Sequence, residues 1–159
     1  MIVGIISDTH DRLDMLERAV AALQSRGAAH LVHAGDYTSP FTWRVLQHFK
    51  GGFTGVFGNN DGDKVLLRRM FGDKIHPQPH VFTLGEKRFA VMHEPTVAEA
   101  LAESGRYDVV VYGHTHEPVI KRVGQTLLIN PGEVAGWLTG RSTAVLLDTE
   151  LMAPELMEF

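Results

Sequence analysis

The chain has 159 residues, of which 44% are hydrophobic and 21% charged, and these values predict a single globular domain over residues 1–159. Its formal net charge of −4 argues against general nucleic-acid binding through phosphate attraction, and the absence of cysteine excludes disulfides and thiolate metal sites. No apolar stretch is long enough for a transmembrane helix or a signal peptide, so we expect a cytoplasmic protein that does not bind membranes.

Strands and helices alternate in the first half of the chain. Apolar runs predict strands at residues 2–6, 31–34 and 53–57. The spacing of apolar residues predicts a first helix over 13–26 and a short third helix over 63–71. Between them, a second helix is expected to begin after the N-cap Ser39, with Pro40 in its first position. The apolar face of this second helix is expected to hold Phe41, Val45 and Phe49.

Hairpins dominate the second half. Apolar runs around short turns predict paired strands at 81–84 with 88–92 and at 118–122 with 125–129. The last strands are expected at 142–147 and 155–159, with Pro154 between them. A further strand is expected at 109–112, and Thr96 with Glu99 fits a capping box for a helix that ends near Glu103. Early βα units followed by hairpins predict two packed sheets flanked by helices.

Polar motifs directly follow five of the predicted strands. They are Asp8-Thr9-His10, Gly35-Asp36, Gly58-Asn59-Asn60-Asp61, His93 and Gly113-His114-Thr115-His116. In an open α/β sheet, ligands bind just beyond the carboxyl ends of the strands, so we expect these groups to converge on one rim. Two carboxylates, four imidazoles and one amide in one place would repel each other or stay unsatisfied without cations among them. The sequence therefore predicts a metal site, and one for two ions.

The donor set narrows the choice of metal and of chemistry. Oxygen and imidazole donors without sulfur suit Mn, Fe, Co, Ni or Zn better than Ca or Mg. Two such ions roughly 3.5–4 Å apart can bind a phosphate and activate a hydroxide for in-line attack. Taken alone, Asp-x-His is common by chance, Gly-Asp is typical of a turn, Gly-Asn-Asn-Asp is typical of a loop, and His93 could be a core histidine. The specific signal is the order of the motifs at successive strand ends.

The ordered set Asp-x-His, Gly-Asp, Gly-Asn-x-Asp, His and Gly-His-x-His resembles that of the calcineurin-like metallophosphoesterases, in particular their small single-domain phosphodiesterase branch. The resemblance covers essentially all 159 positions. It implies an α/β fold, namely a four-layer αββα sandwich of two mixed β-sheets flanked by helices. It also implies two divalent transition-metal ions, with Mn favoured over Ni, Fe, Co or Zn. One ion would be held by Asp8, His10, Asp36 and His116, and the other by Asp36, Asn59, His93 and His114.

Two residues depart from the family pattern. Many relatives carry a histidine in the place of Asn60, and that histidine contacts phosphate and is proposed to protonate the leaving group. The Asn60 amide can bond a phosphate oxygen but cannot serve as a general acid, and losing a positioned acid typically costs a factor of about 10²–10⁴. Small relatives that lack this histidine tend to favour phosphodiester model substrates. Glu94 stands where relatives often have glycine, and it would crowd or charge the rim beside His93.

The resulting prediction is a binuclear metal-dependent phosphodiesterase that acts on a small phosphodiester, with Asp36 and Asn60 as catalytic residues and a metal-bridging hydroxide as nucleophile. One alternative is a non-catalytic scaffold of the same fold that binds protein partners, as a retromer subunit does. Another is a phosphomonoesterase or nucleotidase with the same metals. Trp137 could flank the site or simply pack, and Asp61 could orient the Asn59–Asn60 loop or serve only in a turn. The sequence leaves the oligomeric state open.

Overall fold

The computed structural model describes residues 1–159 and contains eleven strands and four α-helices. In chain order the strands are β1 (Ile2–Ile6), β2 (His30–His33), β3 (Gly52–Val56), β4 (Ile75–His76), β5 (His80–Leu84), β6 (Lys87–Val91), β7 (Val109–Val111), β8 (Pro118–Val123), β9 (Thr126–Pro131), β10 (Thr143–Asp148) and β11 (Ala153–Glu158). The helices are α1 (Leu13–Ser25), α2 (Trp43–Leu46), α3 (Lys64–Phe71) and α4 (Ala98–Glu103). Short 3₁₀ turns lie at Pro40–Thr42, Gly72–Lys74 and Pro95–Val97.

The strands form two mixed sheets. The first has six strands in the order β11-β10-β1-β2-β3-β4, in which β1 to β4 run parallel and β10 and β11 are antiparallel to their neighbours. The second has five strands in the order β5-β6-β7-β9-β8, with a parallel centre and an antiparallel hairpin at each edge. The carboxyl ends of β1, β2 and β3 therefore lie side by side, as do those of β6, β7 and β9.

Alternating side chains assign the layers. In β1, Val3 and Ile5 point into the cluster between the two sheets, whereas Ile6 faces the cluster formed with α1, α2 and α3. In β6, Phe89 points between the sheets and Ala90 faces the cluster with α4. Because successive residues of a strand point to opposite faces, each sheet is covered on both sides. The predicted αββα sandwich of two mixed sheets is confirmed.

The predicted face of the second helix was wrong at Phe41. Ser39 does cap the segment, since its hydroxyl accepts the backbone N–H of Phe41. The chain then begins as a 3₁₀ turn before α2, and a 3₁₀ turn advances a larger angle per residue than an α-helix. Phe41 consequently lies 59% exposed while Val45 and Phe49 are buried.

Two further local predictions were wrong or incomplete. The Thr96–Glu99 capping box does not form, because Pro95 starts a 3₁₀ turn one residue earlier and leaves Thr96 inside it. Helix α4 begins at Ala98 without a side-chain cap and ends at Glu103. Strand β4 was not predicted, since two residues carry no periodicity. None of the helices is long and apolar enough to cross a bilayer.

Candidate metal centre

The loops that carry the five motifs meet at one rim shared by both sheets. Backbone hydrogen bonds fix the approach: Asp8 N donates to Gly35 O over 3.0 Å, and Gly113 N donates to His93 O over 3.0 Å. Between the sheets, the backbone N–H of His114 donates to the Asp8 carboxylate over 3.1 Å. The convergence expected from parallel strand ends is thus present in the fold.

The first group of donors contains Asp8, His10 and His116, whose ligand atoms lie within 4.8 Å of one another. The Nε2 atoms of His10 and His116 are 3.7 and 3.5 Å from Asp8 Oδ1. Asp8 Oδ1 and His10 Nε2 are buried and have no hydrogen-bond partner. A buried carboxylate oxygen and a buried ring nitrogen are costly to leave unpaired, and a cation between them would satisfy both. The donor set therefore fits a metal ion.

The second group contains His93, Asn59, Asp36 and His114. His93 Nδ1 lies 2.9 Å from the carbonyl oxygen of Ala34, and since a carbonyl only accepts, Nδ1 carries the proton. The other ring nitrogen, Nε2, lies 2.7 Å from Asn59 Oδ1, 3.3 Å from Asp36 Oδ2 and 3.3 Å from His114 Nδ1. Such a convergence of lone pairs calls for a proton or a cation.

The pKa of His93 reflects the negative charge of the neighbouring carboxylates. Burial lowers the pKa of its imidazole, but the hydrogen bond and negative charge of Asp36 outweigh burial and raise the pKa above its ordinary value. For Asp36 itself, burial opposes ionisation, yet His93 and Asn60 together hold the pKa of the carboxyl well below its usual range. Asp36 is therefore an anion at neutral pH and is available to a cation.

The carboxylates of Asp8 and Asp36 each lie close to donors of both groups. Asp36 Oδ2 is 3.6 Å from His10 Nε2 and 3.3 Å from His93 Nε2. The carboxylate of Asp8 lies within 4.8 Å of the ligand atoms of His10 and His116, and also within 4.8 Å of those of Asp36 and His93. The geometry of the site therefore allows either carboxylate to reach two ions.

Left-handed backbone is concentrated in this site. Eight non-glycine residues have positive φ, and five of them are predicted ligands. Those five are Asp8 (52°), His10 (39°), Asp36 (61°), His114 (70°) and His116 (62°). Such conformations cost on the order of 1–3 kcal/mol each and persist only where surrounding contacts over-determine them. Their clustering at one rim is typical of a functional site.

Sequence reasoning missed Glu133, which orients His116. Its fully buried carboxylate accepts His116 Nδ1 at 2.9 Å. Burial raises the pKa of Glu133, but hydrogen bonds from Thr139 and His116 outweigh it and lower the pKa below the ordinary value. An ionised carboxylate only accepts, so Nδ1 carries the proton and Nε2 of His116 presents its lone pair to the site. The available signal was position: Glu133 follows β9, whose carboxyl end lies at the same rim.

Other residues hold the ligand loops. Asp61 accepts the backbone N–H groups of Thr38 (2.8 Å) and Gly58 (2.6 Å), so it orients the loops on both sides of the site rather than serving in a simple turn. Thr38 Oγ1 in turn lies 3.1 Å from His10 Nδ1.

The residues left open by the sequence are also placed. The side chain of Glu94 is exposed, and its backbone N–H shares the Gln78 side-chain oxygen with that of the buried His93, so Glu94 does not displace His93. Trp137 flanks the site: together with Leu138 it borders a cleft of about 290 Å³ whose other lining residues are His10, Asn60 and His116.

A four-layer αββα sandwich with carboxylates, imidazoles and an amide gathered at its rim defines a phosphoric ester hydrolase that works with metal ions. Residues 1–152 match the model of the calcineurin-like phosphoesterase superfamily domain, and the chain belongs to this superfamily. The family resemblance of the motifs is thereby confirmed.

Relatives agree with this assignment. The chain is 36% identical over 157 residues to a phosphodiesterase of Methanocaldococcus jannaschii, with 94% of each chain covered. It is 31% identical over 168 residues to a probable metallophosphoesterase of Methanothermobacter thermautotrophicus, covering 99% of this chain and 92% of that one. The solved structure of an archaeal phosphodiesterase superposes with a TM-score of 0.92 at 33% identity, and both chains are covered in full. Vps29 of Entamoeba histolytica, at 18% identity and a TM-score of 0.75 over 100% of this chain and 99% of its own, shares the fold alone.

Proposed function

We propose that the protein is a phosphodiesterase whose rim holds two divalent transition-metal ions, with Mn favoured. One ion is assigned to Asp8, His10, Asp36 and His116, and the other to Asp36, Asn59, His93 and His114, so that Asp36 bridges the pair. The observation that carries the proposal is the set of buried donor atoms without partners, Asp8 Oδ1 and His10 Nε2, beside the converging lone pairs around His93 Nε2. Two ions held there would bind a phosphoryl group and supply a hydroxide for in-line attack on phosphorus.

The residues of the chain divide the remaining work. Glu133 and the Ala34 carbonyl set the proton positions of His116 and His93, so that each presents Nε2 to the rim. Asn60 donates its side-chain N–H to Asp36 Oδ2 over 2.7 Å and its backbone N–H to Oδ1 over 2.8 Å. An amide group has two N–H bonds, so the second remains for a phosphate oxygen, where it would stabilise developing charge.

The absence of a side-chain acid at position 60 bears on the substrate. An amide cannot protonate a departing alkoxide, so turnover should depend strongly on how stable the leaving group is as an anion. The preference for diesters is supported by the similarity to a Methanocaldococcus jannaschii phosphodiesterase at 36% identity and to the solved structure of an archaeal phosphodiesterase at 33% identity. We propose a small phosphodiester as substrate and the cytoplasm as the place of action.

The test uses metal-stripped protein resupplied with Mn, Ni, Co, Zn or Mg. Hydrolysis of bis(p-nitrophenyl) phosphate is compared with that of p-nitrophenyl phosphate, and metal uptake is measured separately. We expect metal-dependent turnover of the diester in preference to the monoester. Faster monoester hydrolysis would replace the proposal by a phosphomonoesterase. Folded, metal-loaded protein that hydrolyses neither ester would favour a protein-binding scaffold.

A further inference from the structure

Two large apolar side chains stand exposed at the mouth of the metal centre. Trp137 is 62% exposed and Leu138 76% exposed, and we call this pair the 137–138 shelf. The shelf lines the same cleft as His10, Asn60 and His116. Exposed apolar side chains next to converging polar groups are the usual composition of a ligand site, in which polar groups orient the ligand and apolar ones contact its body.

The backbone of the shelf is fixed rather than loose. The buried Glu133 carboxylate accepts the N–H groups of Trp137 (3.0 Å), Leu138 (3.0 Å) and Thr139 (2.6 Å). Since Glu133 also accepts His116 Nδ1, one carboxylate sets both the shelf and a predicted metal ligand in position. A shelf held in this way loses little conformational entropy when a ligand binds.

A cation fixes the indole ring as well. The guanidinium of Arg12 lies 4.6 Å from the centre of the Trp137 ring and donates a hydrogen bond of 2.6 Å to Ala135 O. Contact with a guanidinium orients an aromatic ring through cation–π attraction. The indole is therefore restrained while most of its surface stays exposed.

We propose that the 137–138 shelf receives a planar aromatic substituent of the phosphodiester, an aryl group or a nucleobase, and that Trp137 is a specificity-determining residue. This inference rests on the proposed function. A phosphate placed against His10, Asn60 and His116 directs one ester substituent along the same cleft toward the shelf. A flat ring gains stacking contact with indole regardless of its hydrogen-bonding pattern, whereas a short alkyl group covers little of it.

The first test keeps the leaving group constant and changes the other substituent. It compares kcat/KM for thymidine 5′-(p-nitrophenyl phosphate), bis(p-nitrophenyl) phosphate and ethyl p-nitrophenyl phosphate. We expect the two aromatic diesters to be preferred, and Trp137→Ala to reduce that preference about tenfold, a typical effect of removing one stacking partner. Trp137→Phe should retain most of the preference. Leu151→Ala, which removes an apolar side chain that is 75% exposed and lies outside the cleft, should leave it unchanged.

The second test needs no turnover. Trp43→Phe leaves Trp137 as the single tryptophan, because the chain has two. In metal-loaded protein, phenylphosphonate should change the Trp137 emission and methylphosphonate should not. Active enzyme whose aromatic preference survives Trp137→Ala, or equal emission changes with both phosphonates, would overturn the shelf. If the unaltered protein hydrolyses none of the diesters but its Trp137 emission responds to phenylphosphonate alone, the proposed phosphodiesterase activity is wrong and the proposed role of the shelf stands. A preference for the aryl diester without the nucleoside diester would identify aryl groups as the ligands.

Discussion

Replacing Glu133 by glutamine tests how a residue that is not itself a predicted ligand orients the predicted ligand His116. The carboxylate accepts two hydrogen bonds at Oε2, from His116 and Trp137, and three at Oε1, from the backbone of Leu138 and from the backbone and side chain of Thr139. Glutamine converts one oxygen to an NH₂ group. An NH₂ in place of Oε1 leaves the backbone N–H groups of Leu138 and Thr139 without an acceptor. An NH₂ in place of Oε2 leaves the backbone N–H of Trp137 without one, because His116 can change its tautomer. Buried unsatisfied donors cost about 1–3 kcal/mol each, so the free energy of unfolding should fall by at least about 1–3 kcal/mol.

A second effect separates positioning from stability. An amide nitrogen facing His116 Nδ1 favours the tautomer with the proton on Nε2, which removes the lone pair that the metal needs. We expect the metal affinity of the folded Glu133→Gln protein to fall about 10- to 100-fold, as is typical when the partner of a ligating histidine is lost. Glu150→Gln, which alters an exposed ion pair with the N-terminus, is the matched control and should change neither quantity noticeably.

The assays are denaturant unfolding of metal-free protein and calorimetric titration of the folded protein with Mn²⁺. Reduced stability with unchanged metal affinity would refute the tautomer argument and leave Glu133 with only a structural role. Unchanged stability would refute the count of lost hydrogen bonds.

Four further predictions concern the ligands, the leaving group, the metal and the core. Asp36→Asn should reduce diester turnover by more than about 10²-fold in folded protein, because removing a metal ligand should reduce activity more than removing the hydrogen-bond partner of a ligand does. Full turnover would contradict the bridging role of Asp36. Asn60→His should speed the hydrolysis of diesters with poor, alkoxide-like leaving groups, by at most about 10²–10⁴-fold, and an unchanged rate would mean that protonation comes from elsewhere. Removing metal with a chelator should lower the melting temperature by about 10–20 °C relative to protein with each of two ions at 100 times its Kd, and calorimetry that detects no shift would count against a site in the native state. Leu23→Ala, in the core of α1, should cost about 2–5 kcal/mol in unfolding free energy without altering the metal affinity of folded protein; a weakened affinity would show that the core and the rim are coupled.

Much of the fold was predictable because its strands are runs of apolar residues that end directly before polar residues. The apolar run at Ile2–Ile6 and the polar residues directly after it define both a buried strand and its carboxyl end. The same reasoning placed all seven predicted ligands at one rim, since parallel strands share the edge at which they end. Their assignment to particular metal ions remains a prediction, as does the single domain over residues 1–159.

The parts that could not be predicted depend on contacts distant in sequence or on very short segments. The position of Glu133 after β9 indicates the rim but not its partner, because its contact with His116 forms only when the turn after β9 folds back against that residue. Phe41 and Thr96 were misplaced since the start of a helix depends on the turn geometry preceding it. The exposure of Trp137 likewise follows from hydrogen bonds that hold its loop.

The most direct measurement is a titration of metal-free protein with Mn²⁺, in which bound ions are counted and the loaded protein is examined by electron paramagnetic resonance. We predict two ions per chain and the spectrum of an exchange-coupled pair, because ions roughly 3.5–4 Å apart would share the Asp36 carboxylate. One ion per chain, or two ions with the spectra of isolated Mn²⁺, would contradict a binuclear centre.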